Sequence, residues 1–164
     1  RVEGSEGHGV PVHQEESLFR RHTATLDPMD DSHDLAAELN AASPGTLMER
    51  MGIEFLEARP GRVVARMPVA GNTQPYGLLH GGASVVLAET VGSIAAGLHA
   101  GTAVGTEVNA SHHRSVRSGH VTATATPLHE GGTMATYAIS IVDDDGRLTC
   151  TARLTCAVRR PATP

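Results

Sequence analysis

At 164 residues the chain has the size of one ordinary domain, long enough to bury a real core and too short for two full domains, so one kind of active site is sought. Hydrophobic residues make up 40% and charged residues 19%, a globular composition, and with aromatics at only 2% the core must be aliphatic and small. The formal net charge of -5, without a dense Lys/Arg run, excludes a surface built to hold a phosphate backbone, and nucleic acid is not an expected partner.

In chain order, residues 1–45 read as an N-terminal extension and residues 46–160 as the folded domain. The first 31 residues are rich in charge, His and Gly, with few large apolar side chains. His8, His13, His22 and His33 lie there without close metal-ligand spacing, so no metal site is expected. No basic start followed by an apolar run marks a secretory signal. Ser32 is a candidate cap for a short helix through Asn40, and Thr46 with Glu49 forms a candidate capping box for another that ends near Gly52. Strands are expected at 53–59 and 62–69, joined through Pro60-Gly61 as a hairpin. A loop over 70–79 leads into a long apolar helix over 81–98. Four further strands, 103–114, 120–129, 133–142 and 148–159, are separated by turn-forming segments rich in Gly, Ser and Asp.

The last strand alternates most clearly, with Leu148, Cys150, Ala152, Leu154, Cys156 and Val158 on one face and Thr149, Thr151, Arg153 and Thr155 on the other. Val121, Ala123 and Ala125 give the strand from His120 a small apolar face as well. Two strands, one helix and four strands therefore predict an α+β fold, an antiparallel sheet wrapped around a long central helix. The window 78–100 approaches a bilayer span in length, but Glu89, His80, His99 and its glycines mark it as a helix buried in protein, and no membrane is expected. Cys150 and Cys156 share a strand face too far apart to bridge; they read as small core residues suited to a reducing cytoplasm.

Between His80 and His99 the sole charge is Glu89, whose neighbours on its own helical face are Val85, Gly92, Ser93 and Ala96. An isolated carboxylate among such neighbours is costly unless it has a partner or a task, and desolvation of this kind is a usual tuning of a catalytic base or nucleophile. A structural carboxylate, hydrogen-bonded across an interface, is the alternative. Gln74 and His80 precede Gly81 and Gly82, where free helix-start N–H groups can polarise a carbonyl and hold an oxyanion, although a Gly-Gly pair also serves as a plain turn into a helix. Alternation puts His112 and Arg114 on one face of a strand end and His113 on the other. Arg114 and Arg117 are candidate partners for the phosphates of a nucleotide-bearing substrate, or simply a solvated strand end. The chain has no phosphate-binding glycine loop with Lys, no dinucleotide-binding glycine pattern, no zinc-protease motif and no serine-nucleophile elbow.

Three segments carry a resemblance: Thr73-Gln74-Pro75-Tyr76-Gly77-Leu78-Leu79-His80-Gly81-Gly82-Ala83, then Leu87-Ala88-Glu89-Thr90-Val91-Gly92-Ser93, then 104–114, which ends in Asn109-Ala110-Ser111-His112-His113-Arg114. Together they resemble the hotdog-fold acyl-CoA thioesterases. They are most similar to the branch holding the phenylacetate-pathway and enterobactin-proofreading enzymes and the 1,4-dihydroxy-2-naphthoyl-CoA and Arthrobacter-type 4-hydroxybenzoyl-CoA thioesterases. The similarity spans about 46–159 and leaves out the extension, which this branch generally lacks.

The resemblance implies Glu89 as catalytic carboxylate, either nucleophile through an anhydride or general base for water. It implies Gly81, through its N–H, and Gln74 as the groups that polarise the thioester carbonyl. His80 would position the thioester and assist the leaving thiol, and Ser93 would orient the water. Gly82, His112, His113 and Arg114 would contact the acyl group or coenzyme A. It further implies a site between two subunits, a homodimer or a homotetramer built as a dimer of dimers, and no cofactor beyond the coenzyme A of the substrate. The expected reaction is hydrolysis of an aromatic or bulky acyl-CoA. A hydratase or dehydratase, or a non-catalytic acyl-CoA sensor on the same scaffold, are the competing readings; carrier-protein thioesters remain open as substrates.

Overall fold

In the computed structural model, which describes residues 34–159, two short helices come first, α1 (Ala36–Ala41) and α2 (Leu47–Met51). The expected Ser32 cap lies outside the described residues. The capping box does not form: the Thr46 hydroxyl is turned back to donate to the Ser43 carbonyl at 2.6 Å, and the Glu49 carboxylate accepts from Gly45 N at 2.6 Å, one residue upstream of the N–H that the box uses. The stop at Gly52 does form, in the left-handed region at φ 67, with Gly52 N and Ile53 N bonded to Glu49 O and Met48 O. Residues 34–45, grouped with the extension by sequence, are tied to the first strand. Asn40 accepts from Phe55 N at 2.8 Å and donates to Phe55 O at 2.9 Å, while Asp34 Oδ1 accepts from Ala58 N at 2.9 Å.

Strands β1 (Glu54–Arg59) and β2 (Arg62–Pro68) form the expected hairpin. Helix α3 (Gly81–Ala100) follows, then β3 (Thr102–His112), β4 (His120–Glu130), β5 (Met134–Asp143) and β6 (Leu148–Arg159). All six strands join one antiparallel sheet in the order β1-β2-β4-β5-β6-β3, so β1 and β3 are its edges. This is the hotdog arrangement. The period-2 pattern works as expected on β4, and on β6 from Cys150 to Val158. It slips at the start of β6, where a bulge between Ile141 and Val142 of the neighbouring strand leaves Leu148 outside and turns Thr149 inward, its hydroxyl donating to Ile141 O at 3.0 Å.

Helix α3 passes the length and hydropathy test for a membrane span, yet it is the core helix of the fold, packed against β2, β3, β4, β5 and β6. Leu87, Ala88, Val91 and Ala96 are fully buried on it, facing Val63, Ala65, Met67, Val121, Ile141 and Leu154 of the sheet. The core is aliphatic and small, with two exceptions, Phe55 and Tyr137. Tyr137 is the largest fully buried side chain, and its hydroxyl donates to Glu130 Oε1 at 2.6 Å. Burial, with the Glu130 carboxylate beside it, pushes the phenol far above its ordinary pKa and keeps it neutral.

The small residues of α3 let helix and sheet approach closely. At Gly92 a methyl group would stand 2.6 Å from Leu154 Cδ2, and Leu154 is itself fully buried. Gly92→Ala gains about 1 kcal/mol of helix propensity and meets about 1–3 kcal/mol of overpacking where neither neighbour can retreat. Net destabilisation of up to about 2 kcal/mol is expected, read as a lower denaturant midpoint with an unchanged slope.

Candidate active site

The loop before α3 is shaped by its own backbone. Pro75 and Tyr76 occupy the centre of a turn closed by Gly77 N to Gln74 O at 2.9 Å, and Gly77 takes φ 71, which a side chain would resist. Gln74 N then donates to Leu78 O at 2.8 Å, and Leu79 N to Val116 O at 2.8 Å. The Asn72 side chain donates to Met51 O and Pro68 O, both at 2.9 Å, while His80 N bonds Asn72 O. These ties fix where Gln74 and His80 enter the site.

His80 is the N-cap of α3. Its extended backbone, φ -70 and ψ 131, lets Nδ1 accept from Gly82 N at 2.8 Å. This bond assigns the neutral imidazole its proton at Nε2, leaving that N–H as a donor to an incoming group. It also takes the Gly82 N–H out of play as a contact to substrate. Ala83 N and Ser84 N go back to His80 O, so Gly81 N–H is the donor at the helix start that has no acceptor among the described residues. The helix dipole adds to its pull on negative charge.

His112 comes close to Gly81: a Cβ there would lie 2.9 Å from His112 Nε2 and would push the exposed ring aside. A pocket of about 310 Å³ opens at this point, lined by Gln74, Gly81, Ser84, His112, His113 and Arg114 among others. His112 pairs with Cys150 of the inward face and lies against the start of α3, while His113 bonds Thr151 of the outward face, so the expected alternation between them holds. Both His113 N and Arg114 N bond to Thr149 O, at 2.8 and 3.2 Å, so the chain leaves the ladder there, and His112, His113 and Arg114 all line the pocket. His113 Nε2 is 2.8 Å from Thr151 Oγ1, which restrains its ring. Arg114 and Arg117 have no ion pair among the described residues. Ser84, Thr149 and Thr151 belong to this neighbourhood as well. Sequence reading missed them because Ser and Thr on helix and strand carry no pattern of their own.

Glu89 and Ser93 lie elsewhere. Eight residues at 1.5 Å per residue put Glu89 ~12 Å along α3 from Gly81, outside the pocket. Glu89 is exposed, which corrects the expectation of a carboxylate desolvated by its own chain: the sheet covers one face of α3, and Glu89 projects near the rim of that contact over the edge strand β3. Its Oε1 lies 3.0 Å from the Cβ position of Gly105. One turn on, Ser93 lies on the side of α3 that neighbours Cys156. Burial raises the pKa of that thiol, the Ser93 hydrogen bond opposes the rise, and the Glu89 charge adds to it. Each chain thus presents two separate polar groups, a pocket with the Gly81 N–H at the start of α3 and the Glu89 carboxylate with the Ser93 hydroxyl at its middle. Among the described residues no cluster of His, Cys, Asp and Glu is arranged to hold a metal ion.

Residues 76–150 match the family model described as the thioesterase superfamily. The proofreading thioesterase EntH of Cronobacter turicensis is 49% identical over 124 residues, covering 73% of this chain and 90% of that protein. A mutant of thioesterase PA1618 from Pseudomonas aeruginosa superposes with a TM-score of 0.72 at 44% identity, covering 74% of this chain and 91% of the other. Thioesterase HI1161 from Haemophilus influenzae superposes with a TM-score of 0.75 at 39% identity, covering 81% and 96%.

Proposed function

From its place in the thioesterase superfamily, to which this chain belongs and which makes it a thioester hydrolase, we propose that it hydrolyses aromatic or similarly bulky acyl-CoA to free acid and coenzyme A. The observation that carries this reading is the unoccupied Gly81 N–H beside Gln74 at the head of α3, a pair of donors suited to a thioester oxygen. Members of the family are generally oligomeric. Here the ~12 Å between Gly81 and Glu89 within one chain supports a site assembled from two copies, the pocket from one and Glu89 and Ser93 from the other.

In the proposed reaction the carbonyl oxygen accepts from Gly81 N–H and the Gln74 amide, which holds the charge that develops on attack. Glu89 then acts either as base or as nucleophile. As a base it takes a proton from a water aligned by Ser93. As a nucleophile it forms an anhydride that water opens. Either way one water is consumed, its hydroxyl goes to the acyl carbon and its hydrogen ends on the departing thiol. His80 Nε2–H donates a hydrogen bond to the leaving sulfur, and the proton released by the attacking water passes to the departing thiolate. His112, His113 and Arg114 contact the acyl group or the coenzyme. The chemistry requires no metal and no redox cofactor, and the two buried free thiols, Cys150 and Cys156, suit a reducing cytoplasm.

A panel of aryl, short-chain and long-chain acyl-CoAs, with the matching carrier-protein thioesters, tests this by free-thiol release. The aryl-CoA should give the highest kcat/KM. Preference for the carrier-protein thioester would move the substrate assignment, and no thiol release from any of them would end it.

A further inference from the structure

Gly105 sits in β3 under the middle of α3. A Cβ there would lie 3.0 Å from Glu89 Oε1 and 3.7 Å from Glu89 Cδ, with Leu154 Cδ1 at an ordinary 3.6 Å. The backbone does not demand glycine, since Gly105 is not among the positive-φ residues. A glycine within a strand weakens it, and its usual meaning is a bulge or the close approach of another group. Both hold here. The ladder with β6 runs from Gly105–Cys156 to Glu107–Thr155, so Thr106 is the extra residue of a bulge, with its hydroxyl donating to Thr155 O at 3.0 Å. The bulge and the absent side chain together make a seat on β3 where the Glu89 carboxylate rests.

We propose that Gly105 is a positioning residue for thioester hydrolysis, its bare Cα forming the floor that sets the height and direction of the Glu89 carboxylate. A carboxylate on an exposed glutamate has three torsions to sample, and resting it against a strand removes part of that freedom before substrate arrives. The inference depends on the reading of Glu89 as nucleophile or base.

The test is Gly105→Ala, purified in its native oligomer, with thermal stability, kcat and KM measured beside Glu89→Gln. Because the φ angle suits alanine and the methyl group meets only the carboxylate tightly, the protein should fold with an unchanged or raised Tm. Displacement of the carboxylate should lower kcat about 10–100-fold while KM stays within about threefold, the split expected for lost transition-state alignment. A second readout is Glu89→Asp, whose carboxylate withdraws from β3: it should cost at least about threefold less in the Gly105→Ala background than in the parent. A folded Gly105→Ala protein with parental kcat, beside an inactive Glu89→Gln, would overturn the inference and leave the role of Glu89 intact. A Gly105→Ala protein that failed to fold would also overturn it, by assigning Gly105 to packing. Parental activity in Glu89→Gln would remove the role of Glu89 and this inference with it.

Discussion

Glu89→Gln should lower hydrolysis of the best thioester substrate by roughly 10²–10⁴, about 3–5 kcal/mol of barrier, and more if the carboxylate attacks covalently. The substitution keeps shape and hydrogen-bonding capacity but removes both the base and the nucleophile. The fold should be untouched: Glu89 is exposed on its own chain and makes no ion pair among the described residues, so no buried charge loses its partner. Circular dichroism and sizing confirm an intact oligomer before the assay. Parental turnover by such a protein would make Glu89 a bystander and return the search to the histidines of the pocket.

Gln74→Ala comes next in size. Loss of one donor to a developing oxyanion costs about 10²–10³ in turnover. The loop itself should hold its shape, because Gln74 is fixed through its backbone, N–H to Leu78 O and carbonyl to Gly77 N, rather than through its side chain. Unchanged kinetics would take Gln74 out of the site. The two inactive variants also test the shared site together. Unfolded, mixed and refolded, Gln74→Ala and Glu89→Gln chains should recover roughly a quarter of parental specific activity, since half of randomly paired dimers are mixed and each holds one intact site. Verified mixed dimers without activity would place all catalytic groups within one chain.

Much of this was legible in the residues, for reasons that differ by element. On β6 from Cys150 to Val158, alternation of apolar and polar positions reads directly as one face in and one face out, because the pleat has a period of two. α3 was legible because a long apolar run with a single charge must be buried. What escaped depended on contacts between elements. Apolar neighbours along α3 do not say how far their own sheet covers Glu89, which sits over the edge strand and stays exposed. The end of β3 at His112 was not legible, because it is set where two N–H groups, of His113 and Arg114, converge on Thr149 O, a contact that belongs to the neighbouring strand. The Thr46–Glu49 pattern fits a capping box as a string, but Ser43 O competes for the hydroxyl. Gly105 did carry a signal, a lone glycine inside a strand, which says that something comes close without saying what.

Helix α3 holds the start of one half-site at Gly81 and the heart of the other at Glu89, joined by two turns of continuous hydrogen-bonded backbone. On the proposed assembly, those two ends serve different substrate molecules. The helix is then a stiff rod with a foot in each reaction chamber, and close packing at Gly92 against Leu154 holds it against the sheet. The spacing of the two feet is therefore set by the pitch of the helix and not by any loop.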